Sequence, residues 1–257
     1  VSLGIALTTT GTNVGIKTNN NDTEAQSNTV TVTKTGSITT GTGNNAYGIY
    51  NDGAYNTTTV AGSITTAGFF ANGIRNDGNY NKTTLSGSIT TGGNHAYGIW
   101  NHGDNNTTTV SGSITTGVVG TNAGEDSTGI WNKGDTNTTT LTSTGVITVN
   151  GAESDGIYNE GVNNITIVHG SIFVNGNGES SLSGDWSSGI TNISNYSKTT
   201  LSGSIKTTGD YLGGIYNYGD SGDHTVSGSI TTDGTEAYGI VNSGDCASDC
   251  NTNTNMT

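Results

Sequence analysis

Residues 96–116 read AYGIWNHGDNNTTTVSGSITT, and residues 71–91 read ANGIRNDGNYNKTTLSGSITT. The first stretch repeats the second at an offset of 25 residues, with the same Gly-Ile-x-Asn and the same SGSITT. Similarity at a fixed period of this size is the signature of repeat architectures, in which each repeat is one unit stacked on its neighbours. The period therefore decides the fold class.

Two short markers trace the repeat along the chain. Between some neighbouring repeats the spacing is 33 residues rather than 25, because extra residues enter between the first marker and the second. Tolerance of insertion at one corner is typical of stacked coils with loops on one side. The first marker, Gly-Ser-Ile or a close variant, begins at Gly36, Gly62, Gly87, Gly112, Gly145, Gly170, Gly203 and Gly228. The second, Gly-Ile-x-Asn, begins at Gly48, Gly73, Gly98, Gly129, Gly156, Gly189, Gly214 and Gly239.

Each repeat contains three short runs that suit strands, separated by Gly, Asn and Asp. Threonine, asparagine and glycine are poor helix formers, and no helical period is present. The sequence therefore predicts an all-β fold, a single-stranded β-solenoid (β-helix) of about eight to nine coils, with ~25 residues and three short strands per coil. We expect an irregular first coil, and a candidate junction, at 1–35. Repeats follow at 36–244, with insertions at 118–127 and 175–187, and then a tail at 245–257.

The side chains at equivalent places form columns. Three aliphatic positions per coil are expected to meet along the axis, and the Asn two residues beyond the third faces the same way by strand alternation. Stacked amides can donate to one neighbour and accept from the other, so this column is interpreted as a structural ladder; a polar ligand site is the alternative. The column is Asn51, Asn76, Asn101, Asn132, Asn159, Asn192, Asn217 and Asn242.

The composition excludes several classes of partner. With seven Lys+Arg against 20 Asp+Glu and a net charge of −13, the chain has no basic face for nucleic acid or an anionic membrane. No apolar run is long enough to be a transmembrane segment. Proline is absent, glycine is present 42 times and only 29% of residues are hydrophobic, which favours a fold held by turns and ladders. The start at Val1, without Met or signal peptide, indicates a processed end or an excerpt.

An aromatic column is expected on the outside, at the position after the third Ile. Exposed aromatic rings can stack on sugars or on a neighbouring rod, whereas mutual stacking along the ladder is the structural alternative. The candidate binding face is Tyr50, Trp100, Trp131, Tyr158 and Tyr216, with Trp186 from an insertion; Arg75 and Thr191 interrupt it. Glu125, Asp126, Glu179 and Asp185 in the insertions are the only candidate carboxylates for a polysaccharide-acting enzyme.

Three further patterns have two interpretations each. Outward Thr-x-Thr rows, interrupted by Lys82 and Lys198, resemble ice-binding surfaces but also suit any exposed strand. Aspartates at one turn, such as Asp104 and Asp135, could attract Ca²⁺ weakly, although solvated turn residues explain them better. Cys246 and Cys250 are expected to form a disulfide, with metal binding as the alternative. No zinc or calcium-repeat spacing occurs, so we expect no metal and no cofactor.

Asn-x-Ser/Thr triplets recur near one turn of the repeat. In a secreted protein they are candidate glycan acceptors, although a chain rich in Asn and Thr produces such triplets by chance. They begin at Asn56, Asn81, Asn106, Asn137, Asn164 and Asn195.

The Ala-Tyr-Gly-Ile-Tyr-Asn phrase at Ala46–Asn51, followed by Thr-Val-x-Gly-Ser-Ile, resembles passenger regions of bacterial autotransporter adhesins and related β-strand-repeat surface proteins. The resemblance covers roughly Gly4 to Gly244 and implies an extracellular or cell-surface location and a role in adhesion or coating.

We expect a structural protein rather than an enzyme, with its coils stacked end to end on other copies as a filament subunit. An adhesin that binds glycans or a surface is the alternative. An ice-binding protein and a polysaccharide-acting enzyme are minor ones.

Overall fold

The computed structural model describes residues 1–19, 24–117, 125–176 and 187–243. Over these residues the chain forms 27 β-strands and one short 3-10 turn, Glu24–Gln26. In chain order the strands are β1 (Ser2–Leu3), β2 (Ala6–Thr8), β3 (Ile16–Asn19), β4 (Thr29–Val32), β5 (Ser37–Thr39), β6 (Ile49–Asp52), β7 (Thr57–Val60), β8 (Ser63–Thr66), β9 (Ile74–Asp77), β10 (Lys82–Leu85), β11 (Ser88–Thr91), β12 (Ile99–His102), β13 (Thr107–Val110), β14 (Ser113–Thr116), β15 (Ile130–Lys133), β16 (Thr138–Leu141), β17 (Val146–Val149), β18 (Ile157–Glu160), β19 (Ile165–Val168), β20 (Ser171–Val174), β21 (Ser187–Asn192), β22 (Lys198–Leu201), β23 (Ser204–Thr208), β24 (Leu212–Asn217), β25 (Asp223–Val226), β26 (Ser229–Asp233) and β27 (Tyr238–Asn242).

The strands form three parallel sheets, and every strand pairs with the strand three places along the chain. Sheet A runs from β1 through β4 and β7 to β25, sheet B from β2 to β26, and sheet C from β3 to β27, with nine strands in each. Each coil contributes one strand to each sheet, so the described residues form nine coils. The predicted β-solenoid is confirmed. At about 4.8 Å per rung, nine rungs span about 38 Å.

The register follows the repeat. In sheet C, Ile99 pairs with Ile74 and Ile130, and Asn101 pairs with Asn76 and Asn132. Both predicted insertions fall in the chain between a strand of sheet B and a strand of sheet C. Strand alternation then places like side chains above one another on the same face.

The core consists of three aliphatic columns, one from each sheet. From the second coil to the eighth these side chains are essentially inaccessible, with exposures of 0–1%. Burying one such side chain contributes roughly 1.5–3 kcal/mol. The second to eighth members are Val32, Val60, Leu85, Val110, Leu141, Val168 and Leu201 in sheet A; Ile38, Ile64, Ile89, Ile114, Ile147, Ile172 and Ile205 in sheet B; and Ile49, Ile74, Ile99, Ile130, Ile157, Ile190 and Ile215 in sheet C.

Both marker glycines are required by close packing. A β-carbon on Gly73 would lie 2.7 Å from the carbonyl oxygen of Gly98 and would overlap the Ile89 side chain. A β-carbon on Gly87 would overlap the carbonyl oxygen of Gly62 in the preceding coil. The glycines therefore let the coil turn its corners while the core isoleucines pack against the backbone.

The first coil, predicted to be irregular, joins all three sheets. Leu3 pairs with Val32, Leu7 with Ile38 and Ile16 with Ile49, in the register of the later coils. Its strands in sheets A and B are only two and three residues long. Residues 2–19 thus form the first coil of the solenoid, and the strand register continues across residue 36, where the regular repeats were predicted to begin.

Candidate functional site

The predicted asparagine column forms a continuous hydrogen-bonded ladder inside the solenoid. Each amide nitrogen donates to the side-chain oxygen of the asparagine in the next coil, over seven contacts of 2.6–2.8 Å. Its members from the second to the eighth coil are 0–3% exposed. Because a buried amide is costly unless paired, the ladder stabilises the interior where aliphatic side chains are few.

A column of buried threonines completes the ladder. The second amide hydrogen of Asn101 donates to Oγ1 of Thr108 at 3.0 Å, and the same contact recurs in every coil from the third to the eighth. These threonines lie two residues before the sheet A aliphatic position, and alternation alone would have placed them inside. The full set is Thr58, Thr83, Thr108, Thr139, Thr166 and Thr199.

The two ends of the ladder differ chemically. In the first coil Thr18 takes the asparagine position, and its hydroxyl donates to Oδ1 of Asn51 at 3.0 Å. At the other end Asn242 accepts from Asn217 at 2.7 Å, and its own amide nitrogen donates to none of the described residues. In this last coil His224 stands where Thr199 stands in the eighth coil, and its Nδ1 is buried without a hydrogen-bond partner among the described residues.

A second asparagine ladder lies at the corner between sheets C and A. The backbone N–H of Asn81 donates to Oδ1 of Asn106 at 2.7 Å, and the Asn106 amide nitrogen donates to the carbonyl oxygen of Gly103 at 2.9 Å. The same two contacts recur for Asn56, Asn81, Asn137 and Asn164.

This corner ladder corrects the prediction of glycan acceptors. Five of the six predicted acceptors, Asn56, Asn81, Asn106, Asn137 and Asn164, are 0–1% exposed, and their amide nitrogens already donate hydrogen bonds. A glycan on that nitrogen is incompatible with this packing. Asn195 lies two positions before the corner position, which Ser197 occupies in this coil, and is exposed; its Oδ1 accepts from the backbone N–H of Asp220.

The predicted aromatic face is a stack in which the rings cover one another. Trp100 has the Arg75 guanidinium 4.3 Å from its ring centre on one side and Trp131 at 5.6 Å, inclined by 22°, on the other. Tyr158 meets Trp131 edge-on at 5.7 Å. All of these side chains are only half-exposed, and Tyr216 lies in a separate pair with Tyr218 at 4.2 Å. This geometry supports mutual stacking more than a flat sugar platform.

Arg75, which interrupts the aromatic pattern in the sequence, is part of the stack. It donates from Nε and Nη2 to Asp77 at 2.9 and 2.7 Å, and from Nη1 to the Tyr47 hydroxyl at 2.8 Å. Asp77 also accepts from the Tyr50 hydroxyl at 2.9 Å. Burial, together with this hydrogen bond to Asp77, raises the pKa of Tyr50 to about 12. The cluster fixes the outward rings of the second to fourth coils.

Two of the four candidate catalytic carboxylates, Asp126 and Glu125, lie among the described residues. Asp126 contacts Nδ1 of His95 at 2.7 Å, and Glu125 accepts from Asn94 at 3.4 Å. Glu179, Asp185 and Trp186, and the predicted disulfide pair Cys246 and Cys250, lie outside the described residues. Within the described ranges no group of three or more His, Cys, Asp or Glu side chains could hold a metal ion.

The turn aspartates and outward threonines have ordinary structural roles. The Asp104 carboxylate accepts the backbone N–H of Asp135 at 2.8 Å, which links one coil to the next. In the outward row of sheet A, Lys82 lies directly between Thr57 and Thr107. The lysine therefore interrupts one of the two outward rows, whereas Thr59, Thr84, Thr109 and Thr140 form an unbroken second row.

Asp155, 7% exposed, is the one buried acidic residue among the described residues. It lies in the sixth coil, where its Oδ1 accepts from the Ser188 backbone N–H at 2.6 Å and from the Thr191 hydroxyl at 2.9 Å. Burial raises its pKa from 3.8 to about 7, and the nearby charge of Asp126 acts in the same direction. The two hydrogen bonds favour the charged form but do not outweigh burial.

The core is more open at the last rung than at the first, where Ile16 and Thr18 are only 8% and 7% exposed. Ile240 of the last coil is 37% exposed, whereas Ile215 directly before it is 0% exposed. Leu3 and Leu7 of the first coil and Val226 and Ile230 of the last are only partly buried. Among the described residues no strand pairs with the outer edges of β1, β2 and β3 or of β25, β26 and β27. Unpaired parallel edges at both ends are ready templates for further strands.

No helix among the residues that the structure describes is long and apolar enough to cross a bilayer. No family model, no curated protein and no solved structure matches the chain.

Proposed function

We propose that the chain is an extracellular structural protein, the subunit of a filament built by end-to-end stacking of β-solenoids. One observation carries the proposal: the aliphatic columns and the asparagine ladder continue in register to the outermost described rungs, whose outer strand edges pair with no described strand, and the core is open at the last rung, where Ile240 is 37% exposed. A covering rung from another copy would pair three strand edges and bury the exposed core. The composition, with no basic surface, fits a coat or fibre outside the cell.

Electron microscopy and light scattering of the purified chain across a concentration series test this proposal. We expect unbranched rods many times longer than the ~38 Å of one solenoid, appearing above a threshold concentration. Discrete short rods at every soluble concentration would refute it.

A matched pair of variants tests whether the ends make the contact. Ile240→Lys places a charge in the open core column and should abolish the long rods. Ile165→Lys makes the same change on the lateral face of sheet A, where the side chain is 38% exposed, and should leave them intact. Equal behaviour of the two variants would exclude the terminal rung as the interface.

A second candidate function is surface or glycan binding of the adhesin type. Phe69 and Phe70 favour it, because each is 40% exposed beside His95 at the corner between sheets B and C, where the insertions enter the chain. Binding of the chain to a glycan array, reduced at least tenfold in a Phe69→Ser, Phe70→Ser variant that keeps its thermal stability, is the expected result. Equal binding by the two proteins would count against this candidate.

A further inference from the structure

The inner asparagine ladder has a direction. Every amide nitrogen donates from an earlier coil to a later one, as Asn51 does to Asn76. The first rung ends in the Thr18 hydroxyl, which donates to Asn51 and has oxygen lone pairs to accept a further bond. The last rung ends in the Asn242 amide, a donor without an acceptor among the described residues. A donor end and an acceptor end are complementary only when unlike ends meet.

The core columns continue across such a junction. If the unbroken register of the nine coils is extended by one rung, Val226 lies over Leu3 and Ile240 lies over Ile16. Ile230 then lies over Leu7 in sheet B. All three contacts are aliphatic on both sides, and the same register places Asn242 over Thr18.

The last coil is acidic, whereas the first coil is of mixed charge. Its strand β3 carries Lys17, which pairs with Asp52 of the second coil at 3.1 Å, and Asp22 and Glu24 follow before the second coil. Residues 218–243 contain Asp220, Asp223, Asp233 and Glu236 and neither lysine nor arginine. Two last coils facing each other would bring acidic groups together, so the charges disfavour a junction between two last coils.

We propose that the partner of the last rung is the first rung of a second copy, joined head to tail in a single register in which the Asn242 amide donates to the Thr18 hydroxyl. This inference rests on the filament function proposed above. It adds polarity, register and the residues of the junction.

Disulfide trapping tests the register. Lys17 and Val241 occupy the same outward column of sheet C, so the proposed junction brings them to adjacent rungs, within the Cα separation that a disulfide allows. In a Cys246→Ser, Cys250→Ser background, the Lys17→Cys, Val241→Cys variant should give a ladder of covalent multimers on a non-reducing gel. A Lys17→Cys, Thr231→Cys variant, with one cysteine moved to sheet B, should not.

The outcomes separate the two proposals. If the unmodified chain forms no long rods, the filament function fails. If long rods form but the two cysteine variants cross-link equally, the filament remains and the proposed junction is wrong.

Substitution at Thr18 tests the hydrogen bond. Thr18→Val removes the acceptor and should raise the threshold concentration for assembly about tenfold, the size expected for a lost hydrogen bond at an interface. Thr18→Asn restores a donor to Asn51 and an acceptor for Asn242, and should assemble at or below the wild-type threshold. Thermal melting of each unassembled variant reports folding separately. Equal thresholds for the two variants would overturn the proposed contact.

Discussion

At the scale of single residues, the inner column requires a short side chain that both donates and accepts hydrogen bonds. The carboxamide of asparagine donates two hydrogens and accepts at its oxygen. In the solenoid each oxygen accepts from the preceding coil, and the nitrogen supplies both the next coil and a buried threonine, as Asn101 does to Asn132 and Thr108. Aspartate lacks the donor, and a hydrophobic side chain would leave its neighbours unpaired.

Asn132→Ala tests this dependence in the middle of the ladder. The change leaves the Asn101 amide hydrogen, the Asn159 oxygen and the Thr139 hydroxyl without their partner, and each unsatisfied buried group costs about 1–3 kcal/mol. We expect the free energy of unfolding, measured by urea denaturation, to fall by about 3 kcal/mol or more. Asn44→Ala, at an exposed position, is the control and should change it by less than about 0.5 kcal/mol. Equal losses would contradict a special role for the ladder.

Asp155 makes the stability of the fold depend on pH. The pKa of Asp155 is raised from 3.8 in the unfolded chain to about 7 in the fold. The contribution of the protonated carboxyl to the free energy of unfolding is therefore fully present below about pH 4 and is lost as the pH rises to about 7. The loss is on the order of 4 kcal/mol. Asp155→Asn should therefore raise the melting temperature at pH 8 but not at pH 4. The exposed Asp223→Asn should show no such difference, and a pH-independent effect of Asp155→Asn would contradict the assignment.

At the scale of the coil, the repeat alone predicted the strands, the three aliphatic columns and the inner asparagines. The period and two-residue alternation determine which side chains share a face. The buried Thr108 column obeys the same alternation, but it lies in runs of consecutive threonines, and the sequence analysis assigned a role only to the outward members of those runs. The corner asparagines could not be placed in this way, because Asn106 is buried by the backbone turn around Gly103 rather than by a strand face.

The aromatic column shows a second limit of pattern reasoning. Alternation correctly placed Trp100 and Trp131 outside, but it does not report ring orientation. The rings stand above one another along the rod, and Arg75 continues their stack by a cation–π contact. Whether an outward aromatic offers its face or its edge depends on its neighbours in the adjacent coils.

Gly87→Ala tests the corner geometry of the coil. The added methyl group would overlap the carbonyl oxygen of Gly62, and because that atom belongs to the backbone ladder it cannot move aside cheaply. We expect a loss of about 2 kcal/mol or more in the free energy of unfolding. Ser86→Ala, one residue earlier at the same corner, should be close to neutral. A neutral Gly87→Ala would show that the coils are less tightly stacked than described.

At the scale of the whole molecule, the rod has no internal reason to stop where the described rungs stop. Each coil rests on its neighbours in the same way, and the end coils differ from the middle in the inward residues Thr18 and His224 and in an outer edge that no described strand pairs. The donor end and the acceptor end of the asparagine ladder give the end-to-end contact a direction.

Lys17→Glu should slow rod elongation, because it replaces the lysine of β3 with an acidic side chain opposite an acidic last coil. Attraction between charged ends acts chiefly on the association rate and is screened by salt. The difference from the unmodified chain, followed by light scattering, should be largest at low ionic strength and shrink at about 1 M NaCl, where the Debye length is about 3 Å. Lys82→Glu, on the lateral face, is the control. An effect of Lys17→Glu that is independent of salt would argue against electrostatic pairing of the ends.

An experimental density map at side-chain resolution tests the central claim most directly, because that claim concerns where eight asparagines lie. The expected map shows Asn51, Asn76, Asn101, Asn132, Asn159, Asn192, Asn217 and Asn242 superposed inside the rod, with amide nitrogen to oxygen distances of 2.6–2.8 Å. A map in which these side chains are out of register, or face solvent, would contradict the ladder and the stacking built on it.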